Sequence, residues 1–351
     1  MPTMPPFSFP AEWSPHESTW LAWPHHEPDW PGKLGPIPWV YAEIVRVLAQ
    51  YERVEILCHD ERVRAECDEQ LRAHGVSPNV RLHLVPTDRV WLRDSAPTGV
   101  HDEAGRVHLM NWAFNAWAKY PNFSRDAEVG RAIERITELP RHEPTRPDDD
   151  AARLVLEGGG IETDGEGTLL VTEEWLLSDT QVRNPGLDRD GYERAFRDYL
   201  GIRETIWLGE GCVGDDTHGH VDDIARFVAP GVIVLAYEDD PADDENHRRS
   251  VDNMRRLELA GAADGAFKVV RIPYPRPVTM NGERLPASYA NFYIANGVVI
   301  VPTFNDRNDR VALNALAELM PDRHVVGIHA VDLVWGFGTL HCLTQQQPAP
   351  R

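Results

Sequence analysis

At 351 residues the chain is long enough to bury a large core, and 35 basic against 56 acidic residues leave a net charge of −21. That acidity argues against binding to nucleic acid or an anionic membrane and favours small cationic partners drawn in by the field. Mean hydropathy is −0.42, 42% of residues are hydrophobic, and no run approaches the roughly 20 apolar residues of a membrane span.

The start, Met1-Pro-Thr-Met-Pro-Pro-Phe7, has neither the basic nor the apolar region of a secretory signal. A cytoplasmic protein is expected, in which the scattered Cys58, Cys67, Cys212 and Cys342 form neither disulfides nor a zinc cage. Residues 1–40 place Trp13, Trp20, Trp23, Trp30 and Trp39 among prolines. Aromatic packing, more than regular hydrogen bonding, is expected to order that segment. From Pro38 to Gln50 the apolar residues recur at helical spacing, and a strand follows.

Five times an apolar strand runs into a polar or acidic turn and then an amphipathic helix, with strand starts at Val54, Val107, Thr168, Val232 and Val298. Such even spacing reads as an internal repeat of one unit, strands plus a helix. A doubly wound parallel sheet would alternate in the same way, but its phosphate loop is missing. Gly158-Gly-Gly160 with Gly165 and Gly167 lacks a following Gly-Lys-Ser/Thr and leads into a short strand. Arg141–Ala152 and the acidic Glu238–Glu245 read as solvated loops. No composition shift marks a boundary, so one domain over 1–351 is expected.

Reactive groups collect where these apolar runs end. In Gly214-Asp-Asp-Thr-His-Gly-His-Val-Asp-Asp-Ile-Ala-Arg-Phe-Val228, strand alternation would set His220 and Asp222 on one face, an acid/base pair. A polar strand edge is the plain alternative. Trp91 and Asp94 precede a proline that ends their element, though Asp94 could equally pair with Arg93 or cap a turn. Glu157 closes an apolar run before three glycines that permit close approach of a ligand; an exposed Glu on a tight hairpin is the alternative. Near the end, glycines at 336 and 338 precede a short strand carrying Cys342 with His341 beside it, and an isolated cysteine is often only a small buried hydrophobe. Together these groups suit a guanidinium: carboxylates match its fork of donors, a thiolate attacks its carbon, and a histidine moves the protons.

Trp91-Leu-Arg-Asp94, Glu157-Gly-Gly159, Asp216-x-x-Gly-His220-x-Asp222 and Leu340-His-Cys342-x-Thr-Gln-Gln346 resemble the signature of the agmatine deiminases. These belong to the bacterial peptidylarginine deiminase-like group of guanidine-modifying enzymes. Pro10-Ala-Glu-Trp-x-Pro-His-x-x-Thr-Trp-Leu-Ala-Trp-Pro24 and Pro286-Ala-Ser-Tyr-x-Asn-Phe-Tyr-Ile-Ala-Asn-Gly297 extend the likeness. The resemblance implies a pentein fold, a five-bladed α/β propeller. It implies that Cys342 is the nucleophile, His220 the general acid and base, and Asp94 and Asp222 the grip on the guanidinium. Glu157 would orient His220 or the substrate, Trp91 would line the aliphatic chain, and Asp216 is a weaker substrate-side acid. The implied reaction turns agmatine and water into N-carbamoylputrescine and ammonia without metal or organic cofactor. The expected partner is a small cationic guanidino substrate, with a homo-oligomer left open.

Ala96, Ala118 and the run Gly336-Phe-Gly-Thr339 depart from the family's usual glycines and Gly-Gly-Gly-Asn, which bears on the choice among agmatine, arginine, methylated arginine and a C-terminal peptidyl arginine. Two other readings compete. His218, His220 and Asp222 on one strand face could hold a hydrolytic metal, or a propeller with a tryptophan-rich face could bind a partner without catalysis.

Overall fold

The computed structural model describes residues 7–76, 78–262 and 267–351. The Met1–Pro6 start, where no signal is expected, lies outside them. The strand starting at Val298 shows how the repeat is built. Val298–Thr303 is almost wholly apolar and buried, as a strand covered on both faces must be. It pairs antiparallel with Tyr293–Ala295 on one side and parallel with His324–His329 on the other. A parallel partner needs a crossover, and the helix Asn308–Leu319 supplies it.

The same order recurs in four more sheets. Val232–Tyr237 lies between Ala225–Ala229 and Lys268–Pro273, and Thr168–Thr172 between Glu162–Thr163 and Glu204–Leu208. Val107–Met110 lies between Thr98–Asp102 and Arg141–His142. In the fifth sheet His16–Ala22 pairs antiparallel with the C-terminal strand Gln345–Pro348 and parallel with Arg53–Cys58, which continues to Val80–Leu84. The five strands read from the sequence each fall inside a different sheet, and none of the described sheets closes on itself. Among the described residues no helix is long and apolar enough to cross a membrane.

Three expectations about local order change. The tryptophan-rich start contains a regular strand, His16–Ala22, hydrogen-bonded on both edges. Trp20, Trp23 and Trp30 are buried and Trp39 stands 63% exposed, so they form no common binding face; a buried side chain of this size contributes on the order of 2–3 kcal/mol. Arg141–Ala152 is not wholly loop, because Arg141–His142 joins a sheet and Thr145–Arg146 pairs with Asp149–Arg153. All four cysteines are free and buried.

Candidate active site

One feature of the repeat places the site. In every sheet, the few residues before the antiparallel edge strand turn inward. Asp94 comes just before Thr98–Asp102, Glu157 before Glu162–Thr163, His220 and Asp222 before Ala225–Ala229, Asn291 before Tyr293–Ala295, and Cys342 before Gln345–Pro348. All six side chains are buried.

These turns are not the strands expected from the sequence. His220 and Asp222 do not share a strand face: Val221–Asp223 is a 3-10 turn and the strand begins only at Ala225. The Asp215 carboxylate causes this by accepting from the backbone N–H groups of Thr217, Gly219 and His220 at 2.8, 2.8 and 2.9 Å. His218 and Gly219 both take positive φ there, 64° and 101°. The His218 ring consequently turns to Ser178 Oγ at 2.9 Å, away from His220. Among the described residues no group of His, Cys, Asp or Glu is arranged to hold a metal. Cys342 likewise sits in a short helix, Leu340–Leu343, with the strand starting at Gln345.

Glu157 is fully buried, not exposed on a hairpin. It accepts from Arg183 Nε at 3.1 Å and Trp175 Nε1 at 2.6 Å, and stands 3.3 Å from His220 Nε2. Burial would raise its pKa, but the Arg183 guanidinium and the His220 ring hold it down at about 2. For His220 burial would lower the pKa, and Asp94 and Glu157 overcome it to bring it up to about 9. The imidazole is therefore protonated at neutral pH and ready to act as an acid.

Asp94 does not pair with Arg93, whose guanidinium goes to Gln346, Glu12 and the His341 carbonyl. Its carboxylate accepts from Trp117 Nε1 at 2.8 Å and Gly159 N at 3.0 Å. Burial pushes its pKa up to about 6, even though the nearby imidazolium opposes this. Asp222 Oδ2 receives His341 Nδ1 at 2.7 Å, while Asp222 Oδ1 is buried without a partner. An unpaired buried carboxylate oxygen is costly; beside a thiol it is a ready acceptor for an incoming donor. The Cys342 sulfur lies 3.8 Å from Asp222 Oδ2. Burial, followed by the charges of Asp222, Asp223 and Asp94, drives its pKa well above the usual thiol range.

At Gly159 the missing side chain lets groups of the site itself close on the backbone. A Cβ on Gly159 would stand 2.6 Å from His220 Nδ1 and 2.9 Å from Asp94 Oδ1. A cavity of about 160 Å³ is lined by Cys342 and Asp94, by Trp91, Trp117 and Phe337, and by Asp29, Arg89, Tyr120 and Asp216. Asp216 is held by Lys119 Nζ at 2.5 Å and the Tyr120 hydroxyl at 2.8 Å. Two of the noted departures line or flank this space in left-handed backbone: Phe337 at φ 66° and Ala118 at φ 52°. Each conformation costs on the order of 1–3 kcal/mol and persists only when its surroundings impose it.

Several groups were invisible to sequence reasoning. Arg183 and Trp175 hold Glu157; Trp117 holds Asp94. His341 bridges Asp222 to Glu12, whose carboxylate also accepts from Arg226 at 2.7 Å, the Ile294 backbone N–H at 2.8 Å and Arg93 at 3.2 Å. Glu12 and His341 do fall inside quoted motifs, and their apposition across the whole chain is what no local pattern reveals.

A profile of the Porphyromonas-type peptidyl-arginine deiminases matches residues 8–348. The chain belongs to that family. It is 38% identical to an agmatine deiminase of Pseudomonas aeruginosa strain LESB58, covering 98% of this chain and 96% of that one. Against one of Stutzerimonas stutzeri it is 37% identical with the same coverage. Among solved structures, an Enterococcus faecalis agmatine deiminase catalysing its reaction superposes with a TM-score of 0.88 at 30% identity, over 98% of this chain and 96% of that one. A C. jejuni agmatine deiminase with substrate bound, carrying serine for a cysteine, gives 0.86 at 26% over 98% and 97%. An amidinotransferase of Microseira wollei, 13% identical with a TM-score of 0.54 over 99% of each chain, shares the mixed α/β fold alone.

Proposed function

We propose that the chain hydrolyses the guanidinium group of agmatine to N-carbamoylputrescine and ammonia through a covalent adduct on Cys342. The observation that carries this is the buried thiol 3.8 Å from Asp222, a carboxylate with an unpaired oxygen whose charge also acts on the buried His220 imidazole. The names of the relatives point to the same reaction. Asp94 and Asp222 grip the guanidinium, and its positive charge offsets the carboxylates that keep the thiol protonated. The thiol proton leaves to water and the sulfur pair forms a bond to the guanidinium carbon. His220 gives its proton to the departing nitrogen, which leaves as ammonia. Neutral His220 then takes a proton from water, the hydroxide adds to the same carbon, and the C–S bond breaks with its pair returning to sulfur; the added hydroxyl releases its proton as the ureido C=O forms, replacing the one the thiol gave up. Glu157 keeps the imidazole oriented throughout. These steps invoke no metal or organic cofactor.

Trp91 lines the path of the alkyl chain, and Asp216 faces the far end. The carboxylate of free arginine would need a cation there; Arg89 lines the cavity, but its Nη1 is bonded to Asp29 and its guanidinium lies 4.1 Å from the Tyr120 ring centroid. That favours the decarboxylated substrate. We further place the five sheets as blades of a pentein propeller around the site, in one catalytic domain. The recurrence of one inward turn per sheet supports this arrangement. Four free cysteines suit the cytoplasm.

Ammonia and ureido product measured from agmatine, arginine, methylated arginine and a peptide ending in arginine test this reading. Agmatine is expected to be preferred by at least about tenfold in kcat/KM, the scale of 1.4 kcal/mol. Preference for another guanidine would move the substrate, and no turnover of any guanidine by folded protein would end the proposal. Gly159→Ala, which crowds His220 and Asp94, is expected to cost about a hundredfold in kcat/KM on the same assay, since displacements near 1 Å carry that penalty; activity within threefold of wild type would show that the site tolerates the shift.

A further inference from the structure

The cavity that Cys342 and Asp94 line holds a second set of charged groups. Around the sulfur stand Asn291 Nδ2 at 3.1 Å and Asp222 Oδ2 at 3.8 Å, and the charges that act on the thiol are those of Asp222, Asp223 and Asp94. Asp29, Arg89, Tyr120 and Asp216 line the same space and are joined to one another instead. Arg89 Nη1 bonds Asp29 Oδ1, its guanidinium lies over the Tyr120 ring, and the Tyr120 hydroxyl donates to Asp216.

The two acids of this set differ. Both oxygens of Asp216 are taken, Oδ1 by Lys119 and Oδ2 by Tyr120. Asp29 Oδ2 is buried without a partner, on a side chain only 1% exposed. A buried acceptor left unmade is costly, and the chain nevertheless fixes this one in place. Pro28 and Pro31 stiffen the turn that carries it. The next residue, Trp30, is fully buried, bonds the Leu333 carbonyl through Nε1 at 2.9 Å, and packs on Trp91 with 5.6 Å between ring centroids. Asp29 is thereby tied to the wall that Trp91 gives the cavity. Burial pushes its pKa up to about 7, with help from the Asp216 charge and against Arg89.

We propose that Asp29 Oδ2 is the acceptor for a primary ammonium on the substrate's tail, so that Asp29 selects an aminoalkylguanidine over a guanidine with an apolar tail. This rests on the reading that the guanidinium lies against Cys342. An ammonium has three donors and no acceptor, and its hydrogen bond to a carboxylate is of the strong, charge-assisted kind. A methyl group in its place leaves the oxygen unpaired, and a site built to hydrogen-bond one substrate rejects the analogue that lacks the donor. A carboxylate next to the ammonium, as in free arginine, would be repelled by the same oxygen.

The test compares agmatine with n-pentylguanidine, which carries methyl in place of the ammonium, in full-length wild type and Asp29→Asn at pH 8, above the pKa of Asp29. Asparagine keeps an oxygen for Arg89 and turns N–H groups toward the ammonium. KM for agmatine is expected to rise about ten- to a hundredfold with kcat within about threefold, the scale of a hydrogen bond to a charged group. Both constants for n-pentylguanidine are expected to stay within about threefold, since its tail makes no such bond. Equal losses on the two substrates, or an unchanged KM for agmatine, overturn the proposal, because general damage to the site does not distinguish the ends of two tails. If Asp29→Asn does not fold, Asp29→Glu stands in. Its carboxylate reaches one methylene farther, so kcat/KM for 3-aminopropylguanidine relative to agmatine is expected to rise about tenfold, and an unmoved ratio overturns the proposal. Failure of wild type to turn over either guanidine would count against the proposed reaction alone. The comparison is then made by calorimetric titration of Cys342→Ser with and without Asp29→Asn. Agmatine bound no more tightly than n-pentylguanidine, or a preference that survives Asp29→Asn, overturns the proposal.

Discussion

Cys342→Ser is expected to lower ammonia release from agmatine by on the order of ten-thousandfold or more, the scale seen when a covalent nucleophile is removed, while agmatine still binds. Serine preserves the volume of the side chain and the Asn291 contact, but its hydroxyl has no ionised form in reach at neutral pH. The proposed guanidinium grip uses Asp94 and the unpaired Asp222 Oδ1, neither of which depends on sulfur, so calorimetric titration should give a dissociation constant within a few-fold of the wild-type KM. A residual activity above one tenth of wild type would point to a different nucleophile, and lost binding with a normal fold would mean that the cysteine is part of the grip. Adding His220→Gln to Cys342→Ser should cost little more, because groups that act as a unit are not additive.

The second large effect is on proton transfer. His220→Gln is expected to lower kcat by about a thousandfold, within the range for removing a general acid and base, and to change the pH profile in a defined way. In the wild type kcat/KM should rise with pH through about 6, as Asp94 loses its proton and can accept from the guanidinium. It should fall above about 9, as His220 loses the proton it must give to the leaving nitrogen. In the variant the fall near 9 should vanish. The rise should move to higher pH, because burial still pushes the Asp94 carboxyl up and the imidazolium that opposed it is gone. An alkaline fall that survives His220→Gln would assign that limb to another group.

How far the site was legible from sequence differs from residue to residue. The five central strands could be read because strands buried on both faces are apolar throughout, and their spacing exposed the repeat. Cys342, His220, Asp222, Glu157 and Asp94 stand where apolar runs stop and glycines or prolines begin, and the structure brings these side chains together. The local geometry did not follow. Strand alternation was the wrong guide at His220 and Asp222, because the short polar side chain of Asp215 captures three backbone donors and rolls the segment into a turn before the sheet starts. Asn291 lay in a quoted motif, but its partner Cys342 is 51 positions away, and an amide gives no sign of chemistry on its own. Only when the five inward turns are superimposed on the repeat does its position match those of the acids and the histidine.

The covalent step is the centre of the account, and its most direct measurement is the mass of the Cys342 peptide after a single turnover of agmatine quenched in acid. A peptide heavier by agmatine less ammonia, appearing with the release of ammonia and decaying at the rate of ureido product release, is expected. Ammonia and ureido product formed at full rate with no adduct on Cys342 at any quench time would contradict it.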